Sequence, residues 1–292
     1  MPRVYGKPFV IAEAGCNHMG QMSIAKQLID IAADYCKADA IKFQKRNPKE
    51  LLTPEQYNAP HPNPINSFGK TYGEHREFLE FTADQHKQLK EWCEEAGIIY
   101  STSVWDMTSA KEIAAIKPKF IKIPSACNNN YGMLQWLCDN YDGEIQLSLG
   151  MTTHEEEKSI IELFEKNGRN KDLVIFACTS GYPVPFDDVC LLEINRLYDL
   201  FGNTVKKIGF SGHHLGTSVD MAAYALGAEV IERHYTLNKT WKGTDHVASL
   251  EPEEFKNLVI GLNDVCKAMT SKPQEVLTIE QAQREKLKYR CR

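Results

Sequence analysis

At 292 residues, 42% hydrophobic and 25% charged, the chain has the composition of a globular protein long enough to bury a sizeable core, which excludes a disordered or low-complexity molecule. A formal net charge of -5, with lysine and arginine scattered along the chain, leaves no basic footprint for nucleic acid or an anionic membrane, so any anion must be bound locally. No run approaches the roughly 18 apolar residues of a membrane span, and the N-terminal MPRVYGKPFVIAEAG lacks the apolar core and cleavage site of a secretory signal.

Short runs rich in Ile, Val and Phe recur along the chain. They are FVIAEAG (9–15), AIKFQKR (40–46), IIYSTSVWD (98–106), FIKIPSA (120–126), IQLSLG (145–150), LVIFACT (173–179), KIGFSGH (207–213) and VIERHYTL (230–237). Helical patterns follow most of them, and strict alternation of strand and helix means a parallel sheet. Eight such units predict a single-domain α/β protein, a (β/α)8 TIM barrel over residues 1–270. In the first helix Ser23 is read as the N-cap, with Ile24, Leu28, Ile31 and Tyr35 as the stripe that packs on the barrel. Residues 47–79, with five prolines between 48 and 64, form a long β2-α2 loop without obvious structure, the kind of segment that serves as a lid or binding loop. After strand eight the helix PEEFKNLVIGLNDVCKAM leads into a polar tail, 271–292, that leaves no room for a second domain.

Alternate residues of a strand face opposite sides, so the two faces of each run can be compared. Val10 and Ala12 oppose Glu13; Ile41 and Phe43 oppose Lys42 and Gln44; Ile121 and Ile123 flank Lys122. Leu147 and Leu149 flank Ser148, Ile208 and Phe210 oppose Ser211 and His213, and Glu232 shares a face with His234. Helices cover the outside of a barrel and demand an apolar face there, so the polar set points inward and towards the C-terminal mouth. Interiors of barrels are usually filled by Val, Ile and Leu, and the departure marks a functional site.

Lys42 and Lys122 carry the most physical information, because a buried ammonium needs a counter-charge. Glu13 and Glu232 could pair with them internally; the reading favoured here is an anionic ligand, with Ser125, Ser148 and Ser211 supplying hydroxyl donors at the same rim. His213 and His234 end neighbouring strands at ~4.8 Å spacing and can share one metal ion. Two imidazoles leave positions open for water and substrate, which suits Mn, Fe, Co or Zn better than Mg. His214 points the other way, and Asp245 and His246 follow in the next loop.

Nine cysteines, at 16, 36, 93, 127, 138, 178, 190, 266 and 291, form no CxxC pair, and an odd number cannot all pair within one chain. Reduced thiols in a cytoplasm are the expectation.

The strings IAEAGCNHMG, IKFQ, FIKIPSACNNNYGML, LSLGMT, CTSGYPVPFDDV, GFSGHHLG and IERHYTLNKTWKGTDHVASLEP resemble the N-acetylneuraminate (sialic acid) synthase family, in order, from residue 9 to about 270. The resemblance implies a metal-dependent transferase, with manganese expected, that condenses phosphoenolpyruvate with an aldose such as N-acetylmannosamine or a phosphorylated sugar. It releases phosphate and leaves a 2-keto-3-deoxy sugar acid. Position by position it implies that Glu13 lies near the aldehyde and metal, and that Lys42, Gln44, Lys122, Ser125, Ser148 and Ser211 contact phosphoenolpyruvate. His213 and His234 are then the metal ligands, and Tyr182 and Asp245 lie around the substrates. A homodimer is implied too.

Departures from the family pattern cluster where the sugar should sit: Cys127 and Gly212 replace acidic residues and Gly181 replaces a common Glu. Nothing marks the Cys127 thiol as activated, and it is read as a small buried filler. The family also carries a C-terminal antifreeze-like domain that contributes an arginine to the partner's site, and this sequence stops near the linker to it. The sugar clamp is therefore expected from the 47–79 loop with His61, Lys70, Tyr72, His75 and above all Arg76, or from a separate protein. Competing readings are a 3-deoxy-octulosonate-type synthase, a metal-dependent aldolase or isomerase, and a non-catalytic sugar-phosphate-binding barrel.

Overall fold

A computed structural model describes residues 5–289. Strands β1 (Phe9–Gly15), β2 (Ala40–Lys45), β3 (Ile99–Val104), β4 (Phe120–Ile123), β5 (Glu144–Ser148), β6 (Leu173–Cys178), β7 (Lys207–Gly212) and β8 (Val230–His234) pair in parallel, in chain order, and close into a barrel through β8 and β1. All eight runs read from the sequence are these strands. Most were read past the last ladder residue, because rim residues turn away to build loops: β4, expected to reach 126, ends at Ile123, and Ser125–Cys127 forms a 3-10 turn.

Helices α1 (Met22–Asp34), α2 (Pro48–Leu51), α3 (Pro54–Asn58), α4 (Tyr72–Leu79), α5 (Ala83–Ala96), α6 (Met107–Ala115), α7 (Tyr131–Asn140), α8 (His154–Lys166), α9 (Glu193–Phe201), α10 (Ser218–Ala225), α11 (Pro252–Ala268) and α12 (Thr278–Leu287) follow in order. Of these, α1 and α5 to α11 follow the strands in turn. Local chemistry sets their ends. Thr82 and Gln85 cap α5 reciprocally, and Gly97, at φ 71°, closes it in a left-handed conformation that a side chain would strain.

Two local expectations are corrected. Gln21, not Ser23, precedes the first turn of α1, and the buried stripe is Ala25, Leu28, Ile29 and Ala32. Small alanines let the helix lie close to the barrel, while Ile24 and Ile31 flank the contact and Tyr35 is 43% exposed. The 47–79 segment is not irregular: Pro48 and Pro54 stand at helix starts, where a missing N–H costs nothing, and α2, α3, a 3-10 turn at Pro64–Asn66 and α4 fill it. This excursion docks on the loop after β8, with Lys242 over the Phe68 ring at 4.8 Å and the Gly243 N–H donating to Asn66 Oδ1 at 3.4 Å. In the polar tail, α12 carries no buried residue. The eight described cysteines are free, Cys291 lies outside the described residues, and no described helix is long and apolar enough to cross a membrane.

The face rule holds. Val10, Ala12, Ile41, Phe43, Ile121, Ile123, Leu147, Ile208 and Phe210 pack outward in the main core, while Ile11, Ala40, Phe120, Val174, Phe176 and Val230 form a separate apolar plug in the lower barrel. Gly209 admits the Phe176 ring to that plug: a Cβ there would stand 2.6 Å from Phe176 Cε1. Gly209→Ala is expected to cost about 1–3 kcal/mol from overpacking, read by urea unfolding. An unchanged midpoint would show that the ring has room to move.

Candidate active site

Above the plug, the polar rungs of all eight strands converge. A cavity of about 270 Å³ at the C-terminal mouth is lined by Glu13, Lys42, Gln44, Lys122, Ser125, Ser148, Tyr182, Ser211, His213 and His234 from the expected set, together with Ser103, Trp105, Cys178, Ser180 and Glu232. Register explains the convergence, since Glu13 stands beside both Lys42 and His234, Ser103 beside Lys122, and Ser211 beside Glu232.

Both inward lysines are paired internally. Lys42 contacts Glu13, lies 3.7 Å from Glu232 and donates to Ser103 Oγ at 2.8 Å. Lys122 reaches Glu232 at 3.0 Å and lies over the Phe176 ring, while Ser211 donates to the other Glu232 oxygen at 3.1 Å. Two ammoniums and two carboxylates, all at most 6% exposed, balance formally. Burial pushes the Glu232 carboxyl up, but Lys122 and Lys42 overcome it and hold it down to about 2. Burial lowers the Lys42 ammonium to about 7 against the attraction of Glu232, so this lysine is poised near neutrality. The pairing that was weighed against an anionic ligand is thus present: Glu13 and Glu232 supply the counter-charges from within the chain.

Hydroxyls gather in the same cavity as Lys122. A Cβ on Gly150 would lie 2.6 Å from Ser180 Oγ and 2.8 Å from Ser125 Oγ, so only glycine leaves this cradle open. Ser148 and Ser211, on β5 and β7, also line the cavity.

The rings of His213 and His234 lie 5.4 Å apart, centroid to centroid, and Tyr182 covers both at 4.4 and 5.7 Å. The Thr179 carbonyl, 3.0 Å from His213 Nδ1, can only accept, so Nδ1 carries the proton and Nε2 keeps its lone pair. Burial pushes His213 down to about 3 and lowers His234, although Asp245 opposes the latter. Both imidazoles are therefore neutral, as metal ligands must be. His234 Nδ1 is buried without a hydrogen-bond partner. No group of three or more His, Cys, Asp or Glu among the described residues is arranged to hold an ion. The residues fit a cation held by two imidazoles and completed by water and substrate oxygens.

Behind this pair a buried assembly locks the strand ends. Arg233 bonds to Asp220, to the His214 carbonyl at 2.6 Å and to His214 Nε2 at 3.0 Å, all outside the barrel wall. His214 does point away from the cavity. Its ring also explains Gly212, where a Cβ would stand 2.7 Å from His214 Cε1.

Asp245 sits at the lip: a Cβ on Gly15 would lie 3.1 Å from Gln44 Nε2, 3.3 Å from Glu13 Oε1 and 3.5 Å from Asp245 Oδ2. Arg76 lines an adjoining cavity, not the main one, with its Nε 3.0 Å from the Tyr72 hydroxyl. Lys70 is exposed, and His61 and His75 are buried against each other, accepting backbone N–H groups that fix the loop. Cys127 is buried with its Sγ 3.6 Å from the Val104 carbonyl, and burial raises its pKa, as suits a filler. Sequence reading missed Ser103, Trp105, Arg46 and Cys178. The alternation in IIYSTSVWD placed Ser103 and Trp105 on one face, but polar residues on both sides of that strand blurred the contrast.

Residues 28–274 match the NeuB family. The chain is 38% identical over 285 residues to the N-acetylneuraminate-9-phosphate synthase of Homo sapiens, an alignment that covers 96% of this chain and 76% of that protein. It is 35% identical to the N,N'-diacetyllegionaminic acid synthase of Campylobacter jejuni, over 90% and 78% of the two chains. Among solved structures it resembles N-acetylneuraminic acid (sialic acid) synthetase from Leptospira borgpetersenii, in complex with citrate, at a TM-score of 0.81 and 29% identity, covering 98% of this chain and 94% of that one. With the family matched across most of its length and its polar rungs assembled at one barrel mouth, this chain belongs to the NeuB family.

Proposed function

We propose that the cavity condenses phosphoenolpyruvate with an aldose to a 2-keto-3-deoxy sugar acid of the sialic acid type, releasing phosphate. One observation carries the reading: a charge-balanced quartet of Glu13, Lys42, Lys122 and Glu232 lies buried beside two neutral imidazoles in a single cavity. An entering phosphoenolpyruvate offers its phosphate and carboxylate to Lys122 and Lys42, with Ser125, Ser148 and Ser211 donating hydroxyls. These preorganised charges hold the enol ether and favour the anionic tetrahedral species formed when water adds at C2. In that step C3 of the enol ether bonds to the aldehyde carbon, water supplies the C2 oxygen, and the C2–O bond to phosphate breaks.

A divalent ion on His213 and His234, for which we favour manganese, would supply a Lewis acid for the aldehyde oxygen. Glu13, Gln44 and Asp245 orient the aldose end beside it, and Tyr182 closes one wall. The eight free thiols suit a cytoplasmic setting.

The test is inorganic phosphate release from phosphoenolpyruvate with added Mn, across N-acetylmannosamine, its 6-phosphate, other hexoses and pentose phosphates. Aldose-dependent release is expected. Because burial brings Lys42 down to about 7, its charge is present below that pH and lost above it, so kcat/KM for phosphoenolpyruvate should fall by up to about tenfold per pH unit above neutrality. No release with any aldose, from protein that binds phosphoenolpyruvate, would overturn the reading.

A further inference from the structure

Arg46 stands just past β2 and is not among the residues that line the main cavity, yet it is only 5% exposed. Glu80, which follows α4, accepts both the Arg46 backbone N–H, at 2.8 Å, and its Nη1, at 3.1 Å. One carboxylate therefore anchors the backbone and the guanidinium of the same residue, and the Trp105 ring packs 4.3 Å from its Cζ. Charges in this corner balance. Burial alone would raise the Asp245 carboxyl, but His234, the Thr244 hydroxyl, Arg46 and Arg76 hold it below its ordinary value, so Glu80 and Asp245 answer the two guanidiniums. Arg46 is thus no free cation waiting for an anion, and its Nη2 donates to Gln44 Oε1.

That last bond leads into the active cavity. A guanidinium only donates and an ionised carboxylate only accepts, and Gln44 stands between one of each. Its Oε1 takes the Arg46 proton, and its Nε2 donates to Glu13 Oε1 at 2.9 Å. The amide has one direction that makes both bonds; turned over, it would set NH2 against guanidinium and carbonyl against carboxylate. The other Glu13 oxygen faces Lys42. Gly15 makes room for the junction. It follows a register shift in the β1–β2 pairing, at φ 52°, and a Cβ there would stand 3.1 Å from Gln44 Nε2 and 3.3 Å from Glu13 Oε1. A line of hydrogen bonds thus runs from Glu80, outside the cavity, through Arg46 and Gln44 to Glu13.

We infer that Arg46 is a positioning residue: clamped by Glu80 and Trp105, it holds the Gln44 amide against Glu13 and so fixes that carboxylate at the aldose end of the cavity. The inference rests on the condensation proposed above and adds to it a residue that acts from behind the substrate-facing groups. Displacing a group at the chemistry by about 1 Å can cost about 100-fold in rate, which is the loss this line prevents.

Burial raises the Glu80 carboxyl and Arg46 opposes it, so Arg46→Met is made together with Glu80→Leu, leaving no buried charge alone. With the best aldose of the panel above, kcat is expected to fall about 10- to 100-fold. Phosphoenolpyruvate binding, read by calorimetry, should be retained, because Lys42 keeps Glu232 and Ser103. In a Gln44→Met background the same pair of changes should cost nothing further, since the effect passes through that amide. Arg46→Lys, a donor without the fork, should be intermediate, and it carries the same comparisons if the double variant does not fold. The Gln44 side-chain amide is also read directly in 15N-labelled protein, its signal assigned by its absence in Gln44→Met. Its order parameter should match rigid backbone, about 0.85, and fall below about 0.6 without Arg46. Losses that add in the Gln44→Met background, or an amide equally rigid without Arg46, would overturn the inference. If no aldose releases phosphate but the amide loosens when Arg46 is removed, the Arg46–Gln44–Glu13 line stands and the condensation falls.

Discussion

Replacing Glu232 by glutamine is expected to lower the stability of the ligand-free protein by about 3–5 kcal/mol, because two buried ammoniums are left with the Glu13 carboxylate alone. For a chain of this size that is a fall in Tm of roughly 6–20 °C. Phosphoenolpyruvate should then raise Tm more in Glu232→Gln than in the unmodified protein, since the ligand replaces the missing counter-charge. The loss also has a pH signature. The Glu232 carboxyl is held at about 2, below its ordinary 4.5, so its stabilisation is complete above about 4.5 and disappears as the pH falls through about 2. Stability curves of the two proteins should converge in acid. Thermal unfolding with and without phosphoenolpyruvate checks this, and midpoints that agree at neutral pH would mean that the quartet is not coupled as its distances indicate.

Removing either imidazole is expected to have the largest effect on activity. At the proposed ion site, His234→Ala leaves one imidazole and is expected to weaken manganese binding by more than about 100-fold, given that even partners of ligands are worth 10- to 100-fold. Phosphate release should drop by about 10³-fold or more, as expected when electrophilic activation is lost. Chelation of the unmodified protein should do the same, reversibly, on adding manganese back. Equilibrium dialysis separates binding from turnover. Full manganese occupancy in a protein lacking both His213 and His234 would move the ion to another part of the cavity, and the Asp245 and Glu13 carboxylates beside Gly15 would be the place to look.

Position matters more than residue type in both cases. His214, next to His213, is also buried, yet it serves the Asp220–Arg233 cluster outside the wall. One step along a strand reverses the side of the barrel. The sequence reading of alternation was therefore enough to separate His213 from His214 and Lys42 from Phe43.

Other features could not be read that way. The α1 contact uses Ala25 and Ala32, and a reading weighted towards large apolar residues selects Ile24 and Tyr35 instead. Prolines in the 47–79 segment suggested a loop, but at the first position of a helix proline fits, and its rigid φ starts α2 and α3. Arg46 and Arg76 are 30 residues apart, on different elements, and no periodicity relates them. Only the fold brings both to the wall of one cavity, Arg46 from just past β2 and Arg76 from α4.

What the chain determines by itself is the barrel and the identity of its inward rungs, since a period of two and the apolar demand of the outer wall act on neighbouring residues. What only the tertiary structure decides is which of those rungs meet: Lys122 and Glu232 lie 110 residues apart, and closing the barrel is what brings their charges within 3.0 Å.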